Sequence, residues 1–164
     1  MSMDSALVQR IGGDLGVELS LSHGMPVAEV APAQVRAAAT ALRDRHGFDM
    51  LLDVTAVDWL GHASAAERFE VIWHFFCTAR QQRLRLKTRV PEADPAVASL
   101  VGLYGSAVFM ERECHDMFGI RFVGNADLRP ILLYEGFSGH PLRKDYAKQH
   151  EQPLVPYREG ACRA

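Results

Sequence analysis

The densest run of side chains able to do chemistry is Glu111-Arg112-Glu113-Cys114-His115-Asp116, followed at a distance by His140. On a helix of 3.6 residues per turn, Glu111 and Glu113 lie about 200° apart. That divergence disfavours a glycosidase-like carboxylate pair or a two-carboxylate metal site built on this helix alone. Cys114 and His115 are adjacent and point about 100° apart, so a thiol–imidazole nucleophile is not assembled there. A zinc site would have to recruit Cys114, His115, His140 and Cys162 from remote positions, without ligand-pair spacing. A relay passing protons through Glu111, His115 and His140 is chemically conceivable, but nothing in the chain selects it over structural pairing. Asp53 and Asp58, five apart in an apolar run, face opposite sides of a regular strand and read as turn or strand-end caps.

The rest of the sequence supplies no enzyme signature. It has no glycine-rich dinucleotide or phosphate loop, no His-Glu-x-x-His and no cysteine cluster for an iron–sulfur centre, which argues against a free-standing metal-dependent hydrolase. With a net charge of −2, nucleic acid is a disfavoured partner. Cys77, Cys114 and Cys162 are odd in number and widely spaced and read as reduced thiols. The first residues lack a signal or transit pattern. The longest uncharged run, Pro95 to Met110, contains Gly102 and Gly105 and is too short to span a bilayer. Membrane contact is therefore expected only through partners.

The chemistry-bearing run must be held by a helix. From Ala107, the residues Ala107, Met110, Cys114, Met117 and Phe118 share one apolar face, and Glu111 sits at its edge, where burial demands a hydrogen-bond donor. Arg112 and Asp116, four apart, point the other way and can pair with each other, though in the less favourable order. His115 faces Glu111 one turn away and is expected to form a helix ion pair. Gly119 is a C-terminal stop. Ile120 to Val123 alternate as a short strand, and Gly124-Asn125 form a turn. From Arg129-Pro130 onward the chain is extended, without helical or strand period up to Tyr146, and such a loop is functional or awaits a partner surface.

Upstream, Ser5 to Ile11 predict a short helix ended by Gly12-Gly13. A strand over Gly16 to Ser20, a turn at His23-Gly24 and a strand over Val27 to Val30 follow. Pro32 opens an amphipathic helix carrying Val35, Ala38, Ala39 and Leu42, which runs to about Arg45. Met50 to Trp59 and Phe69 to Cys77 are strands, the second apolar on both faces and hence central. In Gln82 to Val90, Leu84, Leu86 and Val90 line one face, while Arg83, Arg85, Lys87 and Arg89 line the other. That cationic stripe reads first as a solvated face that discourages edge pairing and second as a docking surface for an acidic partner. Ala93 to Leu103 read as a short helix. The pattern predicts a two-layer α+β domain over residues 1–128, with a mostly antiparallel or mixed sheet covered by helices. An extended partner-binding tail over 129–164 follows.

The run Glu111-Arg112-Glu113, two residues, Asp116-Met117-Phe118-Gly119-Ile120, then Asp127-Leu128-Arg129, then Gly139-His140-Pro141-Leu142-Arg143-Lys144-Asp145-Tyr146 resembles the thirty-kilodalton subunit family of respiratory complex I, the C subunit of NADH-quinone oxidoreductase. A looser likeness extends through Leu51–Asp58 and Phe69–His74, so that about two thirds of the chain is covered. This sequence departs from the family in having Gly124-Asn125-Ala126 where Gly-His-Pro is common, Pro130 where a second arginine is frequent, and His115 where an aromatic is usual.

The resemblance implies a cofactor-free scaffold subunit in the hydrophilic arm of a proton-translocating complex, peripheral on the cytoplasmic side of a prokaryotic inner membrane. It would lie beside the quinone-site subunit, the forty-nine-kilodalton type. NADH, FMN, iron–sulfur clusters and quinone belong to the assembled complex. On this reading Phe137, Leu142 and Tyr146 are apolar anchors to the neighbour, and Arg143, Lys144 and Asp145 pair at the rim. Homologous modules occur in membrane-bound hydrogenases and formate hydrogenlyases, which are the alternative setting.

Overall fold

The computed structural model describes residues 4–63 and 65–150. Cys162 and the end of the expected tail lie outside them. Helix α1, Ser5–Leu15, is opened by Asp4, whose side chain accepts the Ala6 N–H. It runs through the Gly12-Gly13 pair and ends at Gly16, where φ is 67°. The expected stop at Gly12-Gly13 is thus corrected. A Cβ on Gly12 would lie 2.8 Å from the Val17 carbonyl oxygen, so that glycine serves the close return of the chain rather than helix termination. The next strand is correspondingly later than expected: β1 is Ser20–Ser22 and β2 is Met25–Glu29. They form a hairpin across His23 and Gly24, both with positive φ, the two-residue turn whose twist suits paired strands.

A single 3-10 turn at Pro32–Gln34 leads into α2, Val35–Asp44. Then come β3 (Met50–Asp58), β4 (Phe69–Cys77) and β5 (Gln82–Val90). The sheet order is β1-β2-β5-β4-β3. All its junctions are antiparallel except β2–β5, which is parallel, with Val27 opposite Arg85. β5 is therefore the middle strand, and its cationic stripe does not protect an edge. Lys87 and Arg89 are neutralised by Glu29 and Glu70 on the flanking strands.

Residues expected as a helix over Ala93 to Leu103 instead contain β6, Ala96–Ala98, paired in parallel with β7, Arg121–Val123. Their backbone groups find partners across the chain: Ser99 N–H donates to the Val123 carbonyl and Arg121 N–H to the Pro95 carbonyl. An Ala- and Val-rich run suits either element, and the waiting edge of β7 decides.

Between β6 and β7 lies α3, Ala107–Phe118. One buried cluster joins Ile11 and Leu15 of α1, Val35, Ala39 and Leu42 of α2, and Ala107, Cys114 and Phe118 of α3 to the inward residues Val54, Trp73, Phe75, Leu84 and Leu86. The two-layer α+β expectation holds, with a mixed sheet.

Candidate partner interface

Glu111 is fully buried. Its carboxylate accepts the Leu100 N–H at 2.7 Å, the Ser99 hydroxyl at 2.8 Å and the Asn125 amide at 3.0 Å. Burial raises its pKa, and these three donors pull it back only in part. The donor that the sequence demanded is thus supplied by the β6 loop and the β7 turn, not by His115. The expected Glu111–His115 pair is corrected: His115 Nδ1 donates to the Ile120 carbonyl at 2.9 Å. Glu113 is exposed, and Glu111, His115 and His140 are not linked to one another by any hydrogen bond among the described residues.

Arg112 and Asp116 do not pair with each other. They grip the chain that follows. Arg112 donates to the carbonyls of Arg129 and Pro130 at 2.9 and 2.8 Å. One turn later, Asp116 Oδ2 accepts the N–H groups of Ile131, Leu132 and Leu133 at 2.7, 3.0 and 3.4 Å. Successive N–H groups converging on one anion form a nest. This arrangement buries Asp116, which helical spacing placed on the outer face. Asn125 accepts the Asp127 N–H, and Asp127 accepts both the N–H and the guanidinium of Arg129, which sets the bend before Pro130. Those bonds hold the Asp127 carboxyl well below the usual carboxylate range.

The last carbonyls of a helix have no intrahelical donor. In α3 the second motif of the sequence, residues 139–146, supplies one to each of three. His140 Nδ1 donates to the Asp116 carbonyl at 2.8 Å, Leu142 N–H to Met117 at 3.1 Å, and Arg143 Nε to Phe118 at 2.6 Å. A guanidinium near the negative helix end also suits its dipole. Gly119 makes this approach possible. Its φ is 74°, and a Cβ there would collide with the His140 ring and the Arg143 guanidinium.

The segment is fixed a second time at Arg68, whose side chain is 5 % exposed. Arg68 donates twice to Asp58, at 3.1 and 2.9 Å, and also to Asp145 at 2.8 Å and to Glu92. Asp58 further accepts the N–H groups of Leu60 and Lys144, each at 2.9 Å. Burial opposes ionisation of Asp58, but these donors outweigh it and bring its pKa down to about 2. The guanidiniums of Arg68 and Arg143 both lie over the Phe69 ring, 4.9 and 5.0 Å from its centre.

The structure thus brings His140, Leu142 and Arg143 to Asp116, Met117, Phe118 and Gly119 at the end of α3, and Lys144 and Asp145 to Asp58 and Arg68. Phe137 stacks on Tyr146 with ring centres 6.1 Å apart, and Tyr146 lies against Gly139. Leu128, His115, Phe137 and His140 line a cavity of about 150 Å³, and Pro141 is half-buried. Asp58 and Arg68 were not recognised from the sequence as parts of this arrangement. Asp58 does cap the end of β3 through the Leu60 N–H, and the signal for its second role was parity: it continues the inward series Val54, Ala56 and so is buried.

Residues 28–152 match the family model described as "Respiratory-chain NADH dehydrogenase, 30 Kd subunit". The chain belongs to this family. The C subunit of the NADH-quinone oxidoreductase of Trichlorobacter lovleyi is 43 % identical over 133 residues, covering 81 % of each chain. Its counterpart in Moorella thermoacetica is 36 % identical, covering 88 % of this chain and 93 % of its relative. Among solved structures, the trypsin-resistant fragment (1–134) of Nqo5 superimposes with a TM-score of 0.66 at 27 % identity, covering 74 % of this chain and 99 % of the fragment. An archaeal membrane-bound sulfane sulfur reductase complex contains a chain with a TM-score of 0.77 and 22 % identity, covering 88 % and 85 %. That likeness is one of fold.

Within this member of the respiratory-chain NADH dehydrogenase family, no described helix is long and apolar enough to cross a membrane. Among the described residues no group of three or more His, Cys, Asp or Glu side chains is placed to hold a metal ion. Cys77 and Cys114 are buried free thiols, and burial pushes the Cys114 thiol far up.

Proposed function

We propose that this chain is a scaffold subunit of a proton-translocating NADH:quinone oxidoreductase. It sits in the hydrophilic arm on the cytoplasmic side of a prokaryotic inner membrane, beside the quinone-site subunit, and reaches the membrane only through partners. Electrons pass from NADH through FMN and iron–sulfur clusters to quinone in other subunits. This chain carries none of those groups and has no activity of its own. Its part is to offer a shaped surface.

One observation carries the reading beyond family membership. Residues 129–146 form no helix or strand, are anchored to α3 and Asp58 through their backbone and to Arg68 through the Asp145 carboxylate, and turn Leu132, Tyr134 and Leu142 outward at 61, 37 and 54 % exposure. Large apolar side chains held out on a fixed main chain are what a protein partner buries. Arg143 and Asp145 are engaged within the chain, so in this reading they shape the surface. Lys144, whose ammonium reaches the Leu60 carbonyl only at 3.5 Å, is the charged side chain left for the rim.

The test is affinity purification of the tagged chain from detergent-solubilised membranes, with partners identified by mass spectrometry. Recovery of NADH-, iron–sulfur- and quinone-site subunits is expected. Recovery of a nickel hydrogenase subunit would assign the chain to the hydrogenase or formate hydrogenlyase setting, and recovery of the chain alone would defeat the scaffold reading.

A further inference from the structure

We infer that Arg68, with Asp58 and Asp145, is a positioning clamp that sets residues 140–146 in their partner-binding conformation before any partner arrives. This rests on the scaffold reading above. The observation behind it is a division of labour at two alternate residues. Leu142 and Lys144 commit their N–H groups inward, to the Met117 carbonyl and the Asp58 carboxylate. Their side chains face solvent.

The main chain of this motif is therefore settled by the chain's own groups, and what remains outside is the binding surface. The clamp is built rather than incidental. Arg68 and Asp58 are both buried, while Asp145, half exposed at 50 %, comes to them from far along the sequence. A buried guanidinium requires carboxylate partners. Asp58 and Glu92 meet that need from within the domain, and Asp145 adds a third carboxylate that ties the tail to the same guanidinium, while Arg143 of the tail shares the Phe69 ring with Arg68.

A loop ordered in advance spares the complex the entropy of ordering it on contact. If only a fraction of molecules holds the competent conformation, the apparent affinity falls by that fraction. The clamp thus acts on the rate of association, whereas a residue touching the partner acts chiefly on the rate of dissociation.

The test uses the full chain and the purified quinone-site subunit as probe, with Asp145→Asn and Asp145→Glu. Loss of one charged hydrogen bond corresponds to about a tenfold change. Asp145→Asn is therefore expected to speed amide hydrogen exchange at Leu142 and Lys144 about tenfold, with exchange in β3–β5 unchanged. Association should slow by a similar factor while dissociation is unaltered, and Asp145→Glu should recover most of both. Unchanged exchange at these amides, or faster dissociation with normal association, would overturn the clamp. Failure of the unaltered chain to bind the quinone-site subunit would instead overturn the reading on which it rests.

Discussion

Asp116 on α3 accepts the backbone N–H of Ile131 at 2.7 Å, across 15 residues of chain. The same oxygen takes the two N–H groups that follow, so one side chain orders the entry to the whole second motif. Asp116→Ala leaves three donors without their acceptor. The expected cost is about 2 kcal/mol, read as a lower Tm together with faster amide exchange at residues 131–133. An unchanged exchange pattern would show that the nest is not what orders this stretch.

The Asp58–Arg68 pair predicts an acid limb in the stability profile. Asp58 has its pKa depressed from 3.8 to about 2. An acid with a depressed folded pKa contributes stability that is present above the unfolded value and is lost as pH falls through the folded one. That loss is expected from about pH 4 downward and amounts to roughly 2 kcal/mol. Asp58→Asn should abolish this portion of the limb in urea titrations at stepped pH. Arg68→Met, which strands a buried carboxylate, should cost about 3–5 kcal/mol at neutral pH.

Glu111 has the opposite sign. Its pKa is raised from 4.5 by burial, so the native state holds the proton more tightly than the unfolded chain. Stability from this group is full below pH 4.5 and declines as pH rises through the folded value. Glu111→Gln, which cannot ionise and keeps one of the two acceptor oxygens, should flatten that decline. A profile identical to the parent's above that pH would mean that the three donors fully offset the burial.

Gly119→Ala tests the close approach at the end of α3. The left-handed backbone alone costs about 1–2 kcal/mol with a side chain. The new methyl also displaces His140 and Arg143. Thermal stability should fall, and exchange at Leu142 should rise more than exchange in the sheet.

Leu142→Ala should behave differently. With the side chain 54 % exposed, the isolated chain should keep its stability within about 0.5 kcal/mol of the parent, while incorporation into the membrane complex falls. A variant that unfolds would place Leu142 in the core rather than at an interface.

Much of this was legible in the sequence because it is local. Periodicity located α2, α3 and β3 to β5, Gly119 marked the end of α3, and the apolar neighbours of Glu111 announced a buried acid. What escaped was set by distance along the chain. Arg112 and Asp116 have the spacing of a helix pair, yet both turn to a segment that spacing cannot bring near. Asp58 is bound by Arg68 and by the Lys144 N–H, 10 and 86 residues away. The run after Ala93 became β6 only because β7 offers it an edge. The placement of β5 in the middle of the sheet likewise depends on the parallel β2–β5 junction, which no local pattern encodes.

That junction also imposes a timetable on synthesis. The hairpin of β1 and β2 leaves the ribosome well before the strand it pairs with, at Val27 and Arg85. Until β5 arrives the hairpin has a bare edge and nothing to dock on, whereas β3, β4 and β5 join their sequence neighbours as they emerge. The earliest strands of the sheet to be made are thus among the last to be seated, and a nascent chain arrested before β5 should expose them to protease.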